Sequence, residues 1–328
     1  MNEIKQEIID YAKMRGADLV GFSSIDRFKH LPRQKNPLTI LPEAKTVIGL
    51  GFRVLRGMLR GIEEGSTFYH YTTLGIELLE EVYMPNVMLE VCSMIEDKGY
   101  TAAPQKRMQL LMDDENGTNP EMNYQDIYRH IKQAQLDFTH AAIACGIGEP
   151  GMSGAVLTDE FGPFQRFCFI LTDADIEEDP LYKPHLCDRC GLCAEACPGH
   201  AFGKEEPYKM LSRPEYKIYQ LDTWQCAAYT QGANMQKNPF MPKDALKGMP
   251  DRMEILKGEK KLSEDQAKSV MDQLLYYPLF RHGYAMSVCG RACDRACYAH
   301  LEEKGLLKRS FINKFRDKEE WKLDIIAE

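Results

Sequence analysis

The chain has 328 residues, 44% of them hydrophobic and 27% charged, which is enough for two domains with buried cores and excludes a disordered chain. Its net charge of −8 argues against nucleic acid as a partner held by bulk electrostatics. Eleven cysteines occur without an export signal or a membrane-spanning run, so we expect metal ligands rather than disulfides, in a cytoplasmic protein with no membrane association.

The first 178 residues alternate helical patterns with short apolar strands. Apolar residues at helical spacing predict helices over residues 3–15, 73–98 and 122–144. Short apolar runs predict strands over residues 17–23, 46–52 and 100–104. Helices interleaved with strands predict an α/β body.

An aromatic group in this body is a candidate ligand site. Tyr69 and Tyr71 follow a glycine-rich stretch, where their rings could line a pocket or, equally, fill the core. His140 lies in the last turns of the third predicted helix. It could act as a base or ligand, although a histidine there more commonly binds the helix-end carbonyls.

Residues 146–172 combine a glycine loop with a predicted β-hairpin, whose strands are 155–158 and 167–172. The glycines could let the backbone approach a flat ligand closely, or they could merely make turns. The segment does not fit the dinucleotide-binding pattern G-x-G-x-x-G. That motif needs a strand before it and a helix after it, and here the order is reversed.

The cysteines give the strongest signal. Residues 187–198 read C-x2-C-x2-C-x3-C-P, the run for bacterial iron–sulfur clusters in which the fourth cysteine binds the other cluster of a two-cluster module. Two clusters then need four more thiolates, and the four cysteines downstream are Cys226, Cys289, Cys293 and Cys297. The alternative is a structural zinc site, which would use four thiolates and leave the other four unexplained.

These patterns predict three parts. Residues 1–178 form the α/β body and residues 179–300 the cluster domain, with an insertion at about 232–280. Residues 199–217 are expected to be loop-like. Residues 301–328 are expected to be a helical tail, in which Trp321 could dock.

Several stretches resemble those of one family, epoxyqueuosine reductase and the catalytic core of reductive dehalogenases. They are residues 7–23 (EIIDYAKMRGADLVGFS), 41–52 (LPEAKTVIGLGF), 145–179 with the glycine loop, and 226–229 (CAAY). The resemblance implies an α+β chain. A nitroreductase-like α/β core would bind base-off cobalamin, and a bacterial ferredoxin-like domain would hold two 4Fe-4S clusters.

The resemblance also implies roles for particular residues. One cluster would be held by Cys187, Cys190, Cys193 and Cys297, and the other by Cys197, Cys226, Cys289 and Cys293. The candidate cobalamin-binding residues are Gly146, Gly148, Glu149, Gly151, Gly154 and Arg166.

The chain departs from the epoxyqueuosine branch in one place that bears on its chemistry. Residues 129–133 (RHIKQ) lack the aspartate that precedes the glycine loop in that branch. Glu149 resembles the dehalogenase branch, since the other branch usually has tryptophan there. The resemblance therefore leaves the substrate open.

The function that the resemblance implies is a cobalamin-dependent iron–sulfur reductase. It would take electrons from a ferredoxin or flavodoxin and act on a small-molecule substrate. Tyr69, Tyr71 and His140 are the candidate catalytic proton donors, with Arg107 and Arg166 as candidate anion-binding side chains. The alternative is a corrinoid-free electron-transfer protein that reduces a partner, which the missing aspartate favours; a tRNA-modifying reductase comes third.

Overall fold

The computed structural model describes residues 3–107, 134–208, 216–238, 240–274 and 287–315. The helices are α1 (Glu3–Arg15), α2 (Gly57–Glu64), α3 (Met84–Glu96), α4 (Phe138–Ala144), α5 (Leu192–Glu195), α6 (Thr223–Thr230), α7 (Arg252–Lys257), α8 (Glu264–Leu274) and α9 (Ala292–Glu303). The strands are β1 (Leu19–Ser24), β2 (Thr46–Arg53), β3 (Ala102–Gln105), β4 (Glu149–Pro150), β5 (Val156–Leu157), β6 (Gln165–Thr172), β7 (Phe202–Pro207) and β8 (Lys217–Leu221). A single α-helical turn, His70–Thr72, and a π-helix, Thr73–Tyr83, lead directly into α3.

An antiparallel sheet in the order β1-β2-β6-β3 forms the centre of the α/β body. Because side chains alternate between the two faces of a strand, each strand supplies two separate cores. Ile48 and Ile170 belong to the core that includes residues of α1 and α3. Val47 and Leu171 belong to the core that includes residues of α4. The sheet is therefore covered by helices on both faces.

Most of the elements predicted for the α/β body are present, with ends shifted by one or two residues. Helix α1 ends before Gly16, which has a φ of +116°, as predicted from the sequence. The helix predicted over 122–144 falls partly outside the described residues. In the described part the helix begins only at Phe138, where Asp137 caps it by accepting the N–H of His140 at 2.8 Å.

The predicted hairpin of residues 155–158 with 167–172 is wrong in its pairing. Strand β5 pairs with β4, whereas β6 pairs with β2 and β3 in the centre of the main sheet. The only bridge across the intervening turn in this described stretch joins Thr158 to Gly162. The alternation of side chains identifies a strand but does not show which other strand it pairs with. The prediction therefore paired the two strands that are nearest in sequence.

The pattern over residues 73–98 was predicted as one helix interrupted near Pro85. The structure instead continues without a break, as a π-helix up to Tyr83 followed by α3 with Pro85 in its first turn. Proline is tolerated there because the first N–H groups of a helix have no partner within the helix. The π-helix is rare and is often found at functional sites.

Residues 199–217, predicted to be loop-like, contain most of a small hairpin. Strands β7 and β8 pair with each other in an antiparallel manner. The hairpin is hard to recognise in the sequence, because half of the residues of β7 (FGKEEP) are charged and most are exposed. The predicted tail helix is also absent from the described residues 304–315, where α9 has already ended; Trp321 lies outside them.

The cysteine-bearing C-terminal part packs directly on the α/β body. Arg56 forms a buried ion pair with Glu302 of α9 at 3.0 Å. Tyr298, also on α9, stacks on Phe164 with ring centroids 5.0 Å apart. The N–H of Ser287 donates to Thr72 Oγ1 at 3.4 Å. Helix α9 therefore fixes Cys293 and Cys297 relative to the sheet, and the Ser287 contact fixes the turn that carries Cys289.

None of the helices in the described part of the chain has the length and apolar character that crossing a bilayer requires.

Candidate functional site

The first group of thiols comes from one loop and one distant helix. Cys187 and Cys190 lie in the loop before α5, Cys193 lies on α5, and Cys297 lies on α9, which packs against α5. Burial raises the pKa of Cys297, and Asp294 and then Cys187, Cys193 and Cys190 raise it further. These four sulfurs therefore share one neighbourhood, in the set predicted for one cluster.

The second group joins the other four cysteines. The pKa of Cys293 is raised by burial first, and Cys289 and Cys226 are among the groups that raise it further. Cys289 and Cys197 likewise raise the pKa of Cys226, after burial. Thr230 Oγ1 lies 3.8 Å from the sulfurs of both Cys226 and Cys289. The structure thus brings together Cys197 from the loop after α5, Cys226 from α6, Cys289 from the turn before α9, and Cys293 from α9.

Backbone N–H groups are directed at the thiols. Met152 N lies 3.4 Å from Cys187 Sγ, and Ala201 N lies 3.4 Å from Cys197 Sγ. Such bonds stabilise thiolates and are among the factors that set the reduction potential of an iron–sulfur cluster. The donor set is therefore suited to clusters.

The spacing of the thiols does not match zinc. Four sulfurs around a tetrahedral zinc lie about 3.8 Å apart, given a Zn–S distance of about 2.3 Å. Among the described residues, which include all eight of these cysteines, the group whose ligand atoms all lie within 4.8 Å is Asp188, Cys190 and His300. Three thiols within this distance of one another are not found among the described residues, so the thiol positions give no support to the zinc alternative.

The remaining cysteines, Cys92, Cys145 and Cys168, are buried in the α/β body. Burial raises the pKa of all three, that of Cys92 to about 12. They therefore stay protonated and behave as small core residues, as the sequence predicted.

A buried polar group lies on the sheet face that packs against α1 and α3. Arg166 Nη2 donates to Tyr71 Oη at 2.7 Å, and Arg166 Nη1 lies 3.4 Å from Glu80 on the π-helix. Tyr71 is only 3% exposed. Burial raises the pKa of its phenol, and the Arg166 and Arg291 cations oppose that rise.

Arg291 brings this polar group into the neighbourhood of the second thiol group. It lies between Cys289 and Cys293 and forms an ion pair with Asp294 at 2.6 Å. Its backbone has a φ of +53°, which is strained for a residue with a side chain. Asp294, Tyr71 and Cys293 all raise the pKa of Arg291, with Asp294 the largest influence.

Arg107, two residues beyond the end of β3, is exposed and lies within electrostatic reach of the same group. Desolvation and then the Arg166 cation lower the pKa of Arg107, whereas Glu80 and Tyr71 raise it. The sequence singled out Tyr71, Arg107 and Arg166 but missed Glu80 and Arg291. The position of Arg291 inside a cysteine run was the signal that could have found it.

Two of the catalytic candidates are not brought to this group. His140 is 2% exposed and packs edge-on against Phe28 in the core beside α4, on the opposite face of the sheet. Its Nε2 lies 3.3 Å from the carbonyl oxygen of Arg27. We therefore reassign His140 to the core. Tyr69 is 43% exposed, and its ring contacts that of His70.

The glycine loop packs mainly on the chain itself. A Cβ at Gly146 would lie 2.4 Å from the carbonyl oxygen of Pro180, and one at Gly148 would lie 2.3 Å from that of Leu157. A Cβ at Gly151 would meet Leu157 at 3.1 Å, and only that of Gly154, among these loop glycines, would meet nothing within 4 Å. Close packing within the protein accounts for the first two glycines.

The carboxylate of Glu149 faces the cluster loop. It is 1% exposed and accepts the backbone N–H groups of His185, Leu186 and Cys187. We therefore reassign Glu149 from the cofactor-binding candidates to the support of the first thiol group.

Comparisons with known proteins agree with the thiol arrangement. The family model described as the 4Fe-4S binding domain matches residues 180–202, which include the whole first cysteine run. The fold and these thiols thus define the class: a 4Fe-4S iron–sulfur protein with a mixed helix and sheet body.

Relatives of known name narrow the class. The tetrachloroethene reductive dehalogenase of Dehalobacter restrictus is 29% identical over 99 residues, which are 27% of this chain and 18% of the relative. The epoxyqueuosine reductase of Bacillus subtilis is 21% identical over 217 residues, 60% of this chain and 50% of the relative. The chain is a relative of the reductive dehalogenases and the epoxyqueuosine reductases.

A solved structure shows the same fold at greater distance. A reductive dehalogenase whose structure is described with B12-dependent dehalogenation aligns with a TM-score of 0.50 and 14% identity, covering 94% of this chain and 38% of that one. The chain spans between 18% and 50% of the length of the relatives given above.

Proposed function

We propose that the chain is an iron–sulfur oxidoreductase of the cobalamin-dependent reductase type, with a nitroreductase-like α/β core. One observation carries the proposal: the pair formed by buried Tyr71 and partly buried Arg166 lies within electrostatic reach of the second thiol group through Arg291. A proton donor and an electron-storing centre in one neighbourhood are what a reduction of an organic substrate needs. The substrate is proposed to be a small molecule.

The donor set at this place fits a corrinoid. Cobalamin carries amide side chains and a phosphate on its periphery, and the guanidinium groups of Arg107, Arg166 and Arg291 can donate to both. Gly154, which faces open space, is the loop glycine that remains available to it. When bound, cobalamin supplies a cobalt ion that can be reduced to a strong nucleophile.

The two thiol groups differ in their access to solvent. This difference indicates the direction in which electrons would pass through the protein. Cys190 is exposed and belongs to the first group, whereas no cysteine of the second group is exposed and this group lies near the buried Tyr71. A protein donor can therefore approach the Cys190 end. We propose a ferredoxin or flavodoxin in this role, because both deliver single electrons at low potential.

Tyr71 is placed to donate a proton. A guanidinium has no acceptor, so the bond from Arg166 to Tyr71 Oη leaves the phenolic hydrogen for another acceptor. Burial holds the phenol in its protonated form through neutral pH. Once the proton has left, Arg166 and Arg291 stabilise the phenolate, and with Arg107 they also favour an anion released from the substrate.

A titration with cobalamin tests the proposed function. Protein purified and reconstituted without oxygen should bind about one equivalent, and its absorption spectrum should become that of the base-off form. Roughly eight iron atoms per chain should be present before the titration, from two four-iron clusters. Full iron with no spectral change would overturn the cobalamin part of the proposal, and iron well below this value would overturn the cluster part.

Replacing Tyr71 with phenylalanine is expected to lower kcat by about 10²- to 10⁴-fold, the usual contribution of a positioned proton donor. The assay uses cobalamin-loaded protein, titanium(III) citrate as the donor, and tetrachloroethene and halogenated phenols as probes. Because the pKa of Tyr71 is raised, the wild-type rate should hold from neutral pH until the pH passes that raised pKa, and only then fall.

The matched variant for this prediction is Tyr69→Phe, which removes the same hydroxyl from an exposed ring two residues away. Its effect on kcat should be smaller than that of Tyr71→Phe. The reverse order would assign the proton to Tyr69 and contradict the geometric argument.

A second function, a corrinoid-free electron-transfer protein, is favoured by a specific observation. Gly146 and Gly148 are explained by contacts with Pro180 and Leu157, and Glu149 by contacts with the cluster loop, so these residues need no ligand. The cobalamin titration separates the two functions, since a carrier would hold the full iron and give no base-off spectrum.

A further inference from the structure

Glu149 lies in a setting that its neighbours in the glycine loop do not share. Its side chain is buried, and its two oxygens accept N–H groups from three successive residues. The distances are 2.6 Å from His185 N to Oε2, 3.0 Å from Leu186 N to Oε1, and 2.7 Å from Cys187 N to Oε1. A run of backbone N–H groups around one anion is a stable anion-binding arrangement.

The last of these three residues is the first ligand of the first thiol group. Three hydrogen bonds to one rigid carboxylate fix the backbone that leads into Cys187. The same short loop also reaches the sulfur, because Met152 N lies 3.4 Å from Cys187 Sγ. Residues 149–152 therefore hold Cys187 at both its backbone and its thiol.

The apolar surroundings of Glu149 strengthen the electrostatic effect of its carboxylate on the first thiol group. Leu157, Leu186 and Leu301 form a small apolar cluster that Cys187 and Cys297 pack against. Water is excluded from such a place, so charges there interact more strongly than on the surface. Within the described chain, the ion pair recorded for Glu149 is a long one, with His185 Nδ1 at 4.0 Å.

We propose that Glu149 is a positioning residue for the first cluster, which orients Cys187 and lowers the reduction potential of the cluster that the first thiol group holds. Reduction adds a negative charge to a cluster, and a buried carboxylate beside it opposes that addition. The carboxylate also binds three N–H groups that would raise the potential if they donated to sulfur. The negative charge and the capture of the three N–H groups therefore both lower the reduction potential.

The consequence is a difference between the two clusters. A lowered potential at the end that faces the donor makes electron transfer onward to the second thiol group favourable. This inference rests on the proposed pair of clusters, but it needs neither cobalamin nor a known substrate. It concerns the arrangement of residues that the comparisons with known proteins do not assign.

The test is a redox titration, followed by electron paramagnetic resonance, of the reconstituted protein and its Glu149→Gln variant. Glutamine has nearly the same shape but removes the charge, and its amide nitrogen cannot accept. We expect the potential of one cluster to rise by at least about 59 mV, which is a tenfold change in its one-electron reduction equilibrium, while the other cluster keeps its potential.

The control is Glu160→Gln, which makes the same chemical change in the turn after β5. Glu160 is partly exposed and binds Lys308 Nζ at 2.8 Å rather than the cluster loop. The reduction potentials of both clusters in Glu160→Gln should equal those in the wild-type protein. Equal shifts in the two variants would overturn the inference, as would an unchanged potential in Glu149→Gln.

A second variant covers the case in which Glu149→Gln does not fold. Glu149→Asp keeps the charge and withdraws it by one methylene group, so we expect an altered spectrum of one cluster with a smaller shift in potential. Loss of about half of the iron from either variant, with unchanged circular dichroism, would support the role in orienting Cys187. If Glu149→Gln does not fold and Glu149→Asp has the spectra, potentials and iron content of the wild type, the inference is overturned. Wild-type protein without two reducible clusters would instead mean that the proposed function has failed.

Discussion

A Cys193→Ala variant is expected to keep about half of the iron of the wild-type protein, roughly four of eight atoms per chain. Cys193 is 8% exposed and lies in the middle of the first thiol group, where burial and then Cys187 raise its pKa to about 11. Forming these thiolates costs free energy, which metal binding must offset. When one of the four ligands is removed, the remaining three no longer offset this cost, and we expect the cluster to be lost. Iron and sulfide analysis after oxygen-free reconstitution measures the effect.

The control for this prediction is Cys145→Ala, which removes a buried thiol of the α/β body. Its sulfur lies 3.4 Å from the carbonyl oxygen of Val47, and the wild-type iron content should be unchanged. Full iron in Cys193→Ala would show that this thiol is not a ligand. A halved content in both variants would mean that iron loss reports destabilisation rather than ligation.

Replacing Arg56 with methionine is expected to lower the free energy of unfolding by about 3–5 kcal/mol, because Glu302 is left as a buried charge without its partner. The side chains of Arg56 and Glu302 are 8% and 6% exposed, and the two are 3.0 Å apart. Arg56 also lies over the rings of Phe311 and Phe315, at 4.6 and 4.5 Å from their centroids. Urea unfolding under anaerobic conditions measures the change.

Two comparisons sharpen that measurement. Arg15→Met breaks an exposed pair with Glu90 and should lower the free energy of unfolding far less than Arg56→Met does. The double variant Arg56→Met with Glu302→Gln should be more stable than Arg56→Met alone, since it removes the unpaired charge. Equal costs for Arg56→Met and Arg15→Met would contradict the view that this pair docks α9 on the α/β body.

The parts that sequence reasoning placed correctly are those governed by local rules. A glycine with positive φ ends α1, and the apolar run at 46–52 is a strand that is buried along almost its whole length. The spacing of the first cysteine run likewise follows from the reach of one loop. Such features depend on neighbouring residues only, so they can be read without knowing the fold.

The errors have a common cause, which is that pairing and environment depend on distant residues. Strand β6 left the predicted hairpin because β2 and β3 offer it two partners in the main sheet. His140 was judged by its place on a helix, yet the face of the sheet on which that helix packs separates it from Tyr71. The hairpin of β7 and β8 gave only a weak apolar signal, because half of the residues of β7 are charged.

Glu149 is a further case in which the sequence could not predict the environment of a residue. The residue was noticed because of the resemblance, but its partners are the backbone N–H groups of residues about 37 positions away. A backbone N–H carries no sequence signature, so no pattern could have revealed this contact. Arg291 differs in that its place in the cysteine run could have drawn attention to it, although its link with Tyr71 joins two distant parts of the chain.

By itself the sequence determined that four cysteines have the spacing of a bacterial iron–sulfur run, that four more follow them, and that helical patterns alternate with apolar strands before them. The tertiary structure decided which thiols come together, which face of the sheet carries the polar group, and that a buried carboxylate holds the cluster loop. The physical reason is the range of the forces involved. Spacing along the chain fixes what one loop can reach, whereas burial and charge are set only when distant segments pack against each other.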